Sequence, residues 1–187
     1  MTADQATRLF YRHVWPLRAV VLRTAGYLAR DATEADDLAQ ETLLKAFRAI
    51  GQFDERTNPQ AWLMAILRNT RIDRLRARAR EAGQLSLDAE AIDVADAPVT
   101  DAPPDPADPT ALLERLGDAE LIACLKELSD ELRWTLLLVD VEQLALSEAA
   151  EVLDVPVGTV KSRLSRGRAM LRERIVARGR TMQADER

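Results

Sequence analysis

The sequence predicts an all-α fold: two small helical domains joined by an acidic Pro/Ala-rich tether. Three observations carry that reading. Apolar residues recur at intervals of three and four toward both ends of the chain, the spacing of one buried helix face. The composition runs to Ala, Leu, Arg and Glu, with only 7 Gly and 4% aromatics in 187 residues. Between the periodic stretches lies DAEAIDVADAPVTDAPPDPADP, residues 88–109, which has no helical period. A chain of this length can bury one sizeable core or two small ones.

The first domain is placed at 1–80 and reads as three or four helices. Thr33 with Asp36 three residues on resembles a capping box. Ala35, Ala39, Leu43, Ala46 and Ile50 then form a core stripe, and Asp37, Gln40, Glu41 and Leu44 line the opposite face. A polar loop, GQFDERT at 51–57, holds one aromatic, Phe53. Asn58-Pro59 starts the next helix, with Asn as cap and Pro at the first helical position. Trp62, Ile66 and Ile72 mark its apolar side, with Leu63 and Leu67 adjoining. Trp62 is read as core rather than as a stacking platform. Arg68, Arg71, Arg74 and Arg78 line another face, joined by Arg76 and Arg80.

The tether is placed at 81–111. As a flexible coil it spans about 30 Å r.m.s., and about 95 Å if drawn into polyproline geometry. Two small domains then reach sites about two DNA turns apart, roughly 70 Å, if something holds the tether extended. The second domain, 112–187, contains two helices around a tight turn. Leu146, Ala149, Ala150 and Leu153 form the first stripe, and the chain breaks at Asp154-Val155-Pro156. Val157, Val160, Leu164 and Leu171 form the second, with Gly167 in the place between. From 161 to 180 there are eight basic residues and one acid, Glu173. A solvated surface face usually mixes both signs. One side built to pack and one built to meet polyanion is the layout of a helix-turn-helix whose second helix enters a DNA groove.

The net charge of −5 hides a segregated pattern: +5 over 1–80, −8 over 81–111, −8 over 112–160 and +6 over 161–187. Such blocks suit contact with nucleic acid at two places and with basic or protein surfaces elsewhere. Cys124 and His13 each stand alone in the sequence, leaving no internal disulfide and no zinc cluster to predict. There is no phosphate-cradling Gly-rich loop and no nucleophile–base–acid set, so no enzyme, metal or cofactor is expected. The N-terminus lacks a signal pattern and no apolar run approaches membrane length, so a soluble, cytoplasmic protein without membrane insertion is expected.

Two segments, in order and at the right separation, resemble one family. DATEADDLAQETLLKAFRAIGQFDERTNPQAWLMAILRNTRIDRLRARAR is similar to region 2 of bacterial ECF (extracytoplasmic function) sigma factors, and LSEAAEVLDVPVGTVKSRLSRGRAMLRERI is similar to their region 4. The resemblance implies a dissociable subunit of RNA polymerase that selects and opens promoters. It implies that Asp37, Leu38, Gln40 and Glu41 dock on the clamp helices of the largest catalytic subunit, an acid/amide face suiting a basic partner. It further implies contact with the flap of the second largest subunit and an anti-sigma partner. For the −10 element it points to Phe53, Asp54 and Arg56 in the loop and to Arg68, Asn69, Arg71, Arg74 and Arg76 on the helix, an unstacked base lying beside the loop while arginines track phosphates. Asp73 completes the family's RN…D pattern and is expected to brace Arg68 or Arg76. For the −35 element it points to Thr159, Lys161, Ser162, Arg163, Ser165 and Arg166, with Arg163 and Arg168 better placed for phosphates or bracing. Asp154 stands where the family often has Gly, and Asp tolerates a left-handed turn less well.

A rival reading is a helix-turn-helix regulator that binds duplex DNA without polymerase. The arginine row beside a polar loop in the first domain discriminates, since a ligand or dimerisation domain has no use for it. A pure adaptor is the third class, and the basic recognition helix argues against it.

Overall fold

The computed structural model of the chain describes residues 2–81 and 118–185. The expected tether lies outside the described residues apart from Glu81. The described residues form eight α-helices and contain no strand.

Helix α1 (Ala3–Leu9) opens with a reciprocal capping box between Thr2 and Gln5. It runs through a π-turn, Phe10–Val14, and a 3-10 turn, Trp15–Leu17, into α2 (Arg18–Leu28). Pro16 supplies no N–H here, and the ladder changes register around it. Helix α3 (Ala32–Ala49) is capped by Asp31, whose carboxylate accepts the Glu34 N–H at 2.8 Å. The cap is therefore not Thr33, which already lies inside the helix; Asp31 is the residue still in extended backbone. Ala35, Leu38, Ala39, Thr42 and Ala46 form the buried side of α3, between α2 and α4. Three alanines in that row let both neighbours come close.

Helix α4 (Pro59–Glu81) starts as expected, with the Asn58 side chain accepting the Gln60 N–H at 2.9 Å. Its core row is Leu63, Met64, Leu67 and Thr70, all fully buried. Trp62, Ile66 and Ile72 are only partly covered. Apolar residues fill 61–67 almost continuously, so periodicity alone could not rank one side above the other.

In the C-terminal half, α5 (Asp118–Lys126) and α6 (Asp130–Leu136) lead through a π-turn, Leu137–Val141, to the helix-turn-helix pair α7 (Leu146–Leu153) and α8 (Val157–Asp185). Arg133 ties the start of this unit together. Its guanidinium, 8% exposed, donates to the carbonyls of Leu125, Lys126 and Leu128 at 2.9, 2.6 and 2.8 Å and so caps the end of α5. Between α7 and α8, Asp154 adopts φ 55, ψ 50, and the Val155 N–H reaches back to the Ala150 carbonyl at 3.1 Å. That is the left-handed Schellman turn, made with Asp where Gly is easier. Gly167 allows α6 and α8 to touch: a Cβ there would stand 3.2 Å from the Leu136 side chain.

The two halves are docked on each other. Helix α4 packs on α7 and α2 on α5, and the buried apolar residues of both halves join in one cluster. Domains standing apart were the expectation; the acidic C-terminal half instead meets the basic N-terminal one.

Candidate nucleic-acid and polymerase interfaces

Along α3, Asp37 and Gln40 are exposed one turn apart, and Leu44 continues the row at 56% exposure. Leu38, expected among the docking residues, is 2% exposed: it belongs to the core row, and its role there is packing. Glu41 is half-buried and already engaged. It accepts Arg74 at 2.6 Å and Lys45 at 3.3 Å, and Lys45 bridges on to Asp73 at 3.0 Å. Burial alone would raise the Glu41 carboxyl, but those donors outweigh it and hold it below its ordinary value. Asp73 thus pairs with Lys45 and not with Arg68 or Arg76.

The loop 51–57 is shaped by Asp54, whose side chain accepts the Arg56 N–H at 3.0 Å while its carbonyl takes the Thr57 N–H at 2.8 Å. Phe53 is turned inward. At 8% exposure its ring lies 5.1 Å from Trp62 and 5.4 Å from His13, so it supports the loop from below and offers no free face. The exposed surface of the loop is Asp54, Glu55 and Arg56.

The arginine row of α4 does not behave as one stripe. Arg74 is tied to Glu41 and to the Asp37 carbonyl, and Arg78 to Glu34, which clamps α4 against α3. Arg71 forms a two-point pair with Asp130 of the C-terminal half, one arm at 3.1 Å. Arg68 is half-buried; burial pulls its guanidinium down, with Asp154 opposing and Arg163 adding to the effect. Asn69 and Arg76 remain exposed.

On α8, Val160, Leu164 and Gly167 are buried, while Lys161 and Ser165 stand exposed one turn apart on the other side. Thr159, Ser162 and Arg166 flank them, partly covered. Arg163 faces inward to Glu131 at 3.2 Å, its side chain 16% exposed, so it braces α6 rather than reading DNA. Arg168 holds Asp140 with two bonds at 3.0 and 2.6 Å, bracing being one of its two expected roles.

Sequence reading missed Glu142 altogether. Its side chain is 0% exposed and accepts Thr24 Oγ1 at 2.7 Å, Arg23 Nη2 at 2.8 Å and Gln60 Nε2 at 3.1 Å, all from the N-terminal half. The signal was present as a lone acid inside the apolar run LLLVDVEQLAL, since an unpaired buried carboxylate is not sustainable. Among the described residues no group of three His, Cys, Asp or Glu is placed to hold a metal ion, and no helix is long and apolar enough to cross a membrane.

Two family models match this architecture in order: Sigma-70 region 2 over residues 16–81, and Sigma-70, region 4 over residues 118–171. The chain is 36% identical over 149 residues to the ECF RNA polymerase sigma factor SigW of Bacillus subtilis, covering 76% of this chain and 75% of that one. It is 35% identical over 153 residues to the ECF RNA polymerase sigma factor SigE of Mycolicibacterium smegmatis, covering 82% of this chain and 56% of the longer relative. Among solved structures, the sigma factor RpoE from Bartonella quintana, in complex with the anti-sigma factor NepR, superposes with a TM-score of 0.69 at 26% identity, over 89% of this chain and 96% of that one. With both regions present in sequence and in fold, the chain belongs to the ECF sigma factors, the alternative sigma factors that direct promoter recognition and transcription initiation.

Proposed function

We propose the following division of labour on this chain. Asp37 and Gln40, with the outer edge of Glu41, dock the clamp helices of the largest polymerase subunit, and the C-terminal half meets the flap of the second largest. The loop 51–57, through Asp54 and Arg56, takes an unstacked base of the −10 element, and Asn69, Arg71 and Arg76 follow the strand beside it. Arg68 joins them once its covering is removed, and Arg74 acts from behind by fixing α4 on α3. Lys161, Ser162, Ser165 and Arg166, with Thr159 at the edge, read the −35 element; a Lys or Arg there can pair with guanine O6 and N7 while Ser is permissive. The protein works in the cytoplasm without cofactor or catalytic chemistry of its own, and an anti-sigma factor restrains it.

The observation that carries this reading is the two-sidedness of α8. Its buried row seals against the core and its exposed row offers Lys161 and Ser165 one turn apart, as a groove-reading helix requires. Run-off transcription with core polymerase on genomic fragments, with and without the protein, tests it. Discrete new transcripts are expected only when the protein is added. Tight sequence-specific binding to free duplex, with no new transcript, would instead support the regulator that needs no polymerase.

A further inference from the structure

Promoter sites about two DNA turns, roughly 70 Å, apart cannot be held by halves that touch. Here they touch where DNA is assigned. Asn58, the first residue after the loop, donates to Glu148 on α7 at 2.9 Å, and Arg71 is taken by Asp130. Gln60 donates to both the backbone carbonyl and the carboxylate of Glu142. On the outer side, Lys126 reaches the Arg30 carbonyl. The acceptors on the C-terminal side are carboxylates standing where phosphates would stand, and the donors on the N-terminal side are the ones a DNA strand would use.

We propose that the face formed by Arg23, Thr24, Asn58, Gln60 and Arg71 is a docking site for the chain's own C-terminal half, with Glu142 as its latch. The free protein is then closed and withholds its −10 surface until the halves separate. The DNA part of this rests on the −10 assignment above. Glu142 suits the latch role because its carboxylate is sealed from water and every side-chain donor it meets comes from the other half. Arg23 supplies the charge, Thr24 and Gln60 the remaining bonds, so closure leaves no stranded buried charge. The next residue, Gln143, takes φ 57, a left-handed turn that aims Glu142 across the boundary. The charge blocks agree: the segment 112–160, at −8, supplies Asp130, Glu142 and Glu148, and the segment 1–80, at +5, supplies their partners. Opening trades these bonds for water, so a partner with stronger claims on each half can separate them.

The test uses the full chain carrying Cys124→Ala, with Thr33→Cys and Glu173→Cys as exposed sites for spin labels, and pulsed-EPR distances between them. A single short distance is expected for the free protein. Glu142→Ala, and separately Arg23→Ala with Gln60→Ala, should each add a long-distance population while circular dichroism stays helical. Both should tighten binding of a dye-labelled mixed-sequence single-stranded DNA 20-mer about tenfold, the inverse of the open fraction in the parent. The second variant leaves the C-terminal half untouched, so it decides the matter if Glu142→Ala misfolds. A long or broad distance in the parent overturns the closed state, and unchanged distances in the N-terminal variant overturn the latch. Separation without any gain in DNA binding overturns the occlusion. Failure of run-off transcription while the distances behave as expected would count against the promoter reading and not against closure.

Discussion

Arg133 shows how one side chain can decide a local fold. It spends three donors on the carbonyls that end α5 while Asp130 balances its charge at 3.3 Å. A lysine cannot reach three carbonyls in one plane. Arg133→Lys should lower stability by about 2–4 kcal/mol in urea unfolding, through buried acceptors left unpaired. Glu34 is the matching case at the surface of the other half. Burial alone would raise its carboxyl, yet the Arg30 N–H and the Arg78 and Arg30 guanidiniums outweigh that and hold it at about 2, against 4.5 unperturbed. A depressed carboxyl stabilises the fold at pH values above its unfolded pKa, and that contribution disappears as pH falls from about 4.5 toward 2. Glu34→Gln should therefore flatten the pH dependence of unfolding within that window and lower stability at pH 7. Lys161 and Arg163, two residues apart on α8, should part company in the same way. Lys161→Ala is expected to weaken −35-dependent transcription by about tenfold, consistent with a contact of 1–3 kcal/mol, with an unchanged melt. Arg163→Ala should instead lower the melting temperature, because it removes the Glu131 brace.

At the scale of elements, the loop 51–57 and the helix that follows carry the sharpest test of promoter opening. Opening needs a surface that favours the unpaired strand over duplex, since only differential affinity moves an equilibrium. Replacing the loop with a Gly/Ser sequence should leave closed-complex binding largely intact and abolish permanganate-reactive thymines near the start site. A pre-melted template should restore transcription. Normal opening by that variant would place melting elsewhere. The elements also show what a sequence can disclose. The Asn58-Pro59 start, the α3 stripe and the helix-turn-helix were legible because capping chemistry and periodicity are local. The inward side of α4 was not, because 61–67 is apolar nearly all round. Nor was the fate of the arginines: Arg71, Arg74, Arg78 and Arg163 look alike in sequence, and only the acid each meets in space separates a brace from a surface available to DNA. Phe53 and Leu38 misled for the same reason, being apolar residues inside motifs read as contact surfaces.

For the whole molecule, one apolar cluster shared by both halves implies one cooperative unit. Calorimetry of the free protein should give a single transition, and Glu142→Ala should split or broaden it as the halves lose their common boundary. Segregated charge made the docking possible, yet composition could not announce it: the acidic block was as consistent with a foreign partner as with the chain's own basic half. Cys124 carries the last consequence. The only thiol in the sequence is 0% exposed, and burial pushes its pKa up, with the Arg178 charge opposing. A thiol so placed stays silent toward a water-borne reagent until α5 lifts from its neighbours. The protein thus contains its own stopwatch: the rate at which a disulfide reagent finds Cys124 times the breathing of the C-terminal half, with no label added.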